Sequence, residues 1–164
     1  MPESHARTRA RHVAACVGFI VLCNGVGFAS ALIGGRPTLY QELRQPAFAP
    51  PPWLFGPVWT ALYTLMGIAV YLVWRSPRGR PRTVALWSFG VQLALNAAWT
   101  PVFFGAGRVG AAFGVILAVW AAVLAMMLAF AGVERRSGLL VVPLLAWVSF
   151  ATVLNGAIYV LNRY

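Results

Sequence analysis

The chain contains no aspartate and no lysine, and only three glutamates and two histidines among 164 residues. Each scarcity removes a class of chemistry. Glu3, Glu42 and Glu134 fall outside the apolar stretches identified below, so a proton-coupled pump would lack the intramembrane carboxylate such pumps use. His5 and His12 stand near the N-terminus, and no set of residues has metal-ligand spacing. A zinc site, a histidine-ligated haem or a buried acid–base dyad therefore has no residues from which to form. Neither GxxxxGK[ST] nor GxGxxG occurs, so nucleotide phosphates have no cradle. The two cysteines, Cys16 and Cys23, are a single helix's length of roughly 10 Å apart at about 1.5 Å per residue, too far for a disulfide. Charge itself is scarce. Only 10% of residues are charged, against about 25% in a soluble globular chain, and a water-facing surface cannot be built from this set.

What is abundant is apolar: 60% of residues are hydrophobic and the mean hydropathy is +0.75. The charges bound five silent intervals, Arg11 to Arg36, Arg44 to Arg75, Arg82 to Arg108, Arg108 to Glu134 and Arg136 to Arg163, each 24 to 30 residues long. A helix needs about 20 apolar residues to cross the hydrocarbon core. Lipid satisfies no backbone polar group, which leaves helices or closed barrels, and the continuous runs lack the alternation of barrel strands. The sequence therefore predicts an all-α membrane protein with five transmembrane helices near 13–33, 53–74, 84–104, 109–133 and 139–161. Residues 1–12 read as a basic tail, 13–162 as one transmembrane domain, and 34–52 as a long proline-rich connection. Arginines, an apolar run and Ala29-Ser30-Ala31 also resemble a cleaved signal peptide. Asn24, Gly25 and Gly27 interrupt that run, so the first segment is expected to be retained as a span.

A net charge of +10 is compatible with nucleic-acid binding, but all thirteen basic residues are arginines beside the spans. Five crossings put Arg7, Arg9, Arg11, Arg75, Arg78, Arg80, Arg82, Arg135 and Arg136 on one side, and Arg36, Arg44, Arg108 and Arg163 on the other. That asymmetry predicts a cytoplasmic N-terminus, an outside C-terminus and no nucleic-acid partner. Lysine-free, arginine-rich composition suggests a bacterial chain, hence a bacterial cell envelope.

Aromatic and amide chemistry remains. Tryptophans such as Trp53, Trp74 and Trp87 suit an interfacial belt, whereas Trp59, Trp99 and Trp147 lie deeper in their spans. At helical spacing Gln92, Asn96, Trp99 and Phe103 share one face, which should look inward because amides are costly in hydrocarbon. Gly90, Ala94 and Ala98 form a small-residue seam suited to close helix packing, and Gly110, Gly114 and Ala118 a rival one. Trp147, Ala151, Leu154, Asn155 and Ile158 make a comparable stripe in the fifth span. Interhelical packing alone would also account for each stripe.

These residues resemble the translocator protein family, also called tryptophan-rich sensory proteins or peripheral benzodiazepine receptors. Leu39-Tyr40-Gln41-Glu42-Leu43-Arg44-Gln45-Pro46-Ala47-Phe48-Ala49-Pro50-Pro51-Pro52-Trp53 is similar to that family's first loop, Trp-Tyr-x-x-Leu-x-Lys-Pro-x-Trp-x-Pro-Pro. The stretches 56–67, 92–105 and 143–155 resemble its second, third and fifth helices. Leu39, Gln45 and Phe48 depart from the family's Trp, Lys and Trp. Ala111 replaces a tryptophan, and Gly156 an aromatic, of animal members. Leu154, Tyr159 and Arg163 fit the family's loose sterol motif.

The resemblance implies a five-helix bundle, commonly a homodimer, with a pocket under a first-loop lid. It implies binding of tetrapyrroles (porphyrin or haem), sterols and benzodiazepine-type ligands, with no obligatory cofactor. Its pocket would use Tyr40, Pro50, Pro51, Trp53, Trp59, Tyr63, Gln92, Asn96, Trp99, Phe103, Trp147, Ala151 and Leu154. A sensor, scavenger or carrier is one reading. Light-dependent porphyrin degradation through Trp59 and Trp147 is a second, and a membrane transporter or interaction partner without chemistry is a third.

Overall fold

The computed structural model describes residues 2–35 and 38–163, with side chains from Thr8 onward. Glu3, His5, Arg7 and Arg36 lie outside the described side chains. The described residues form helices α1 (Pro2–Gly34), α2 (Leu39–Glu42), α3 (Phe55–Arg75), α4 (Arg80–Thr100), α5 (Val109–Val133) and α6 (Arg135–Leu161). A 3-10 turn (Pro52–Leu54) precedes α3, and a π-helical turn (Pro101–Gly105) extends α4. Helix boundaries differ from the expected spans mainly at N-termini. The basic tail continues into α1 from Pro2, because its alanines and arginines are good helix formers. Likewise α6 begins at Arg135, where Glu134 is the N-cap and accepts a hydrogen bond from the Arg136 backbone N–H.

Four segments, 8–34, 52–75, 109–133 and 135–161, are long and apolar enough to cross a membrane. Helix α4 has the length of a span but not the hydropathy, because Arg80 and Arg82 open it and Gln92 and Asn96 interrupt its apolar run. The described chain is thus an all-helical, multi-pass membrane protein. Large apolar side chains cover its outside, among them Val21, Phe28, Leu32 and Ile33 of α1.

The core lies where α3, α5 and α6 meet. Met66, Ala69, Val70 and Val73 pack with Val119, Val123, Met126 and Phe130 and with Val141, Leu144 and Val148, all fully buried at helical spacing. Two close approaches fix neighbouring helices. A Cβ on Gly67 would lie 2.6 Å from the Ile20 Cα, so α1 rests directly on the α3 backbone. A Cβ on Gly138 would lie 2.6 Å from the Ala131 Cβ, which holds α6 against α5. Buried Ser137 donates to the Ala69 carbonyl at 2.7 Å.

Pro101 shapes the end of α4. It has no N–H to give the Ala97 carbonyl four residues back. The Ser30 hydroxyl of α1 supplies that bond instead, at 2.6 Å. Beyond the proline the helix widens, with Ala106 N–H reaching the Pro101 carbonyl. Phe103, within this turn, is 2% exposed. Gly107, at φ 64°, then reverses the chain into α5.

Candidate functional site

Each helix except α5 contributes to one cavity of about 490 Å³, within the roughly 300–1,000 Å³ usual for small-molecule sites. Asn24, Gly27, Phe28 and Ala31 come from α1, and Phe55, Gly56, Trp59, Thr60 and Tyr63 from α3. Asn96, Trp99 and Thr100 of α4, with Phe103 and Phe104, form another wall, and Ala151, Leu154, Asn155 and Ile158 of α6 a further one. Tyr40 of α2 reaches in from the long connection. Among the described residues, no Arg, Glu or His lines the space.

The rings are held by one another. Trp99 stacks on Phe103 with centroids 5.0 Å apart, and Trp59 meets Tyr63 at 5.3 Å. Tyr40 lies edge-on to Phe55 at 5.3 Å. Polar anchors orient them further. Trp99 Nε1 donates to Asn155 Oδ1 at 3.1 Å, and Asn155 Nδ2 donates to the Val109 carbonyl at 3.2 Å. Asn24 Nδ2 donates to the Ile20 carbonyl and to Thr64 Oγ1, tying the α1 wall to α3. Gly27 exists for space, since a Cβ there would meet the Tyr63 ring at 2.2 Å.

The long connection is built rather than loose. Tyr40 is 4% exposed. Its hydroxyl donates to the Pro50 carbonyl, and the Gln45 amide donates to the Tyr40 carbonyl. Burial pushes the Tyr40 phenol above its usual pKa, so it remains a donor. Asn162, just past α6, clasps the segment reciprocally: Oδ1 accepts from the Arg44 N–H and Nδ2 donates to the Arg44 carbonyl, both at 2.9 Å.

Of the residues expected in a pocket, Tyr40, Trp59, Tyr63, Asn96, Trp99, Phe103, Ala151 and Leu154 share the cavity wall. Pro50 acts through its carbonyl, whereas Pro51 and Trp53 are exposed to the outside. Gln92 is fully buried, one turn beyond Asn96 and off the cavity wall. Trp147 lines a separate void of about 20 Å³ beneath the cavity. Leu154 and Tyr159 of the sterol motif diverge: Leu154 faces the cavity, while Tyr159 covers Gly110 and stacks near Phe113. Arg163 is exposed beyond the helix. Gly90, Ala94 and Ala98 lie on an exposed face of α4, with open space around Gly90. In the rival seam, Gly110 is already occupied by Tyr159.

The wall residues of α1, with Phe55, Gly56, Thr60, Thr100 and Phe104, were not expected in a pocket; Asn155 and Ile158 were read as part of a fifth-span stripe but not as pocket residues. For Asn155 a signal existed, a polar residue within an apolar stripe. Asn24 and Gly27 likewise interrupt the apolar run of α1, whereas Phe28 and Ala31 carried no signal.

A sequence model of the TspO/MBR family matches residues 19–161. A tryptophan-rich protein TspO of Chlorobaculum tepidum is 40% identical over 156 residues, covering 92% of this chain and 95% of its own. A translocator protein of Homo sapiens is 41% identical over 122 residues, covering 73% and 72%. A tryptophan-rich sensory protein of Cereibacter sphaeroides is 38% identical over 138 residues, covering 84% of each chain.

Proposed function

This chain belongs to the TspO/MBR family, and from that premise we propose that it binds a tetrapyrrole, porphyrin or haem, in the cavity beneath Tyr40. One observation carries the reading: a space of about 490 Å³ walled by aromatic rings, with a few amides and no charged side chain. A tetrapyrrole is a broad flat π surface, and offset or edge-on contact with Trp and Tyr attracts it without a catalyst. With no histidine on the wall, binding needs no iron, so metal-free porphyrin should bind about as well as haem.

Porphyrin should quench tryptophan emission. Trp59→Phe is expected to weaken binding by about 0.5–1.5 kcal/mol, up to roughly tenfold in Kd. The small void places Trp147 beside Trp59, which supports a second reading, light-driven oxidation of bound porphyrin by dioxygen. Illumination in air separates the two. New porphyrin-derived bands that vanish in Trp59→Phe or Trp147→Phe favour chemistry, and reversible bleaching in every variant favours a binder. A double Trp→Phe variant that binds as tightly as the parent removes the site.

The reading extends to α4 as a fifth span, with the N-terminus in the cytoplasm. Its support is that Arg75, Arg78, Arg80 and Arg82 gather at the α3–α4 turn. A cysteine placed at position 79, after Cys16 and Cys23 are replaced, should resist membrane-impermeant thiol reagents in whole cells; labelling there reverses the orientation. A homodimer through Gly90, Ala94 and Ala98 is favoured by their exposure. Gly90→Leu with Ala94→Leu should shift the detergent-solubilised protein toward monomer. If only leucines at Gly114 and Ala118 do so, the seam lies on α5.

A further inference from the structure

Four polar atoms in the middle of the bundle have no hydrogen-bond partner among the described residues: Gln92 Nε2 and Oε1, Asn96 Nδ2 and Trp147 Nε1. Gln92 is fully buried and Asn96 is 5% exposed. An orphaned buried group costs about 1–3 kcal/mol, and surrounding lipid offers no remedy. The orphans are not scattered. Asn96 and Trp147 both line the small void, together with Trp59, Trp99, Val119 and Ala151. Gln92 lies one turn from Asn96 on the same face of α4.

The void measures about 20 Å³, and one water needs roughly 10–15 Å³ and at least two polar partners. The chemistry selects the occupant further. Asn96 Nδ2 and Trp147 Nε1 are both donors, so the site calls for an acceptor with two lone pairs. Apolar packing of the void would leave both N–H groups unbonded, and a cation would be repelled by them.

We propose that this void is a hydration site in which one water accepts hydrogen bonds from Asn96 Nδ2 and Trp147 Nε1. Its own two hydrogens remain to be given. The void and the cavity share Phe55, Trp59, Asn96, Trp99 and Ala151, so one hydrogen is offered to whatever occupies the cavity. Gln92 is off the void wall, and its amide is not assigned to this water. The ligand class follows, resting on the binding role proposed above: a flat apolar molecule that presents a hydrogen-bond acceptor, such as an imine nitrogen or carbonyl oxygen, at the aromatic floor. The water also gives Trp147 a role that does not require it to touch the ligand.

The test is made on ligand-free protein in lipid nanodiscs, so it stands or falls separately from tetrapyrrole binding. With 15N-labelled indoles, the Trp147 Nε1–H signal is identified by its loss in Trp147→Phe. It should show a nuclear Overhauser cross-peak at the water frequency. That cross-peak should disappear in Asn96→Leu, which removes one donor, and in Ala151→Val, which fills the void; thermal unfolding confirms that each variant is folded. Absence of the cross-peak in the parent, or its survival in either folded variant, overturns the proposal.

Discussion

Replacing Gly67 with alanine should destabilise the bundle by about 1–3 kcal/mol, the usual cost of overpacking a tight contact. The new Cβ would sit 2.6 Å from the Ile20 Cα and 2.8 Å from its nitrogen. Both are backbone atoms, so no rotamer change relieves the clash and α1 must move as a body. Its movement would strain the Asn24 bond to Thr64 and the Ser30 bond to Ala97. It would also displace the Gly27 and Phe28 wall of the cavity, so ligand affinity should fall with stability. Gly18→Ala, on α1 itself, is the control, because nothing lies within 4 Å of its added methyl and alanine favours helix over glycine by about 0.8–1.0 kcal/mol. Thermal unfolding in detergent reads both. Equal midpoints for Gly67→Ala and the parent would show that α1 does not rest on α3 as described.

Asn155→Leu should have the next largest effect. The substitution keeps the branched shape and the number of side-chain heavy atoms but strips Trp99 Nε1 of its acceptor and the Val109 carbonyl of its Asn155 donor. Each buried group left without a partner costs about 1–3 kcal/mol. The two losses differ in consequence. Loss of the Asn155 bond to the Val109 carbonyl, which keeps its place in the α5 ladder, loosens the junction of α5 with α6. The freed Trp99 indole is the group left without a partner, and it loses the orientation that stacks it on Phe103. Ligand affinity should therefore drop by about tenfold, equivalent to roughly 1.4 kcal/mol, alongside a lower unfolding temperature. A variant that unfolds earlier yet binds normally would leave Asn155 a purely structural residue.

The charge-free intervals located the helices because arginine is too expensive to bury in hydrocarbon, and α3 and α5 begin and end within about two residues of the spans 53–74 and 109–133 expected inside them. Helix α4, expected as a fifth span, is not among the four helices apolar enough to cross a membrane by hydropathy. Its buried Gln92 and Asn96 identify an inward face but lower the hydropathy that marks a membrane helix. Trp59 and Trp99, read as lying deep in their spans, line one cavity together with Tyr63 and Phe103. What the sequence could not reveal was which helix stands beside which. Periodicity within α1 gives no hint that Gly27 yields its space to Tyr63, or that Ser30 replaces the bond lost at Pro101. Trp147 illustrates the finer limit: its depth was legible, but not that Ala151, rather than Trp147, would face the main cavity.

The Asn162 clasp joins residues 118 positions apart in the chain, and that separation fixes an order of events. Synthesis delivers N-terminal segments first, so α1 and the loop after it emerge long before α6 exists. Until then the Arg44 backbone has no amide to hold it. Bringing such distant residues together costs chain entropy, which helix packing has already met by the time Asn162 arrives. The loop over the cavity is consequently completed last, and a half-made chain has walls before it has a roof.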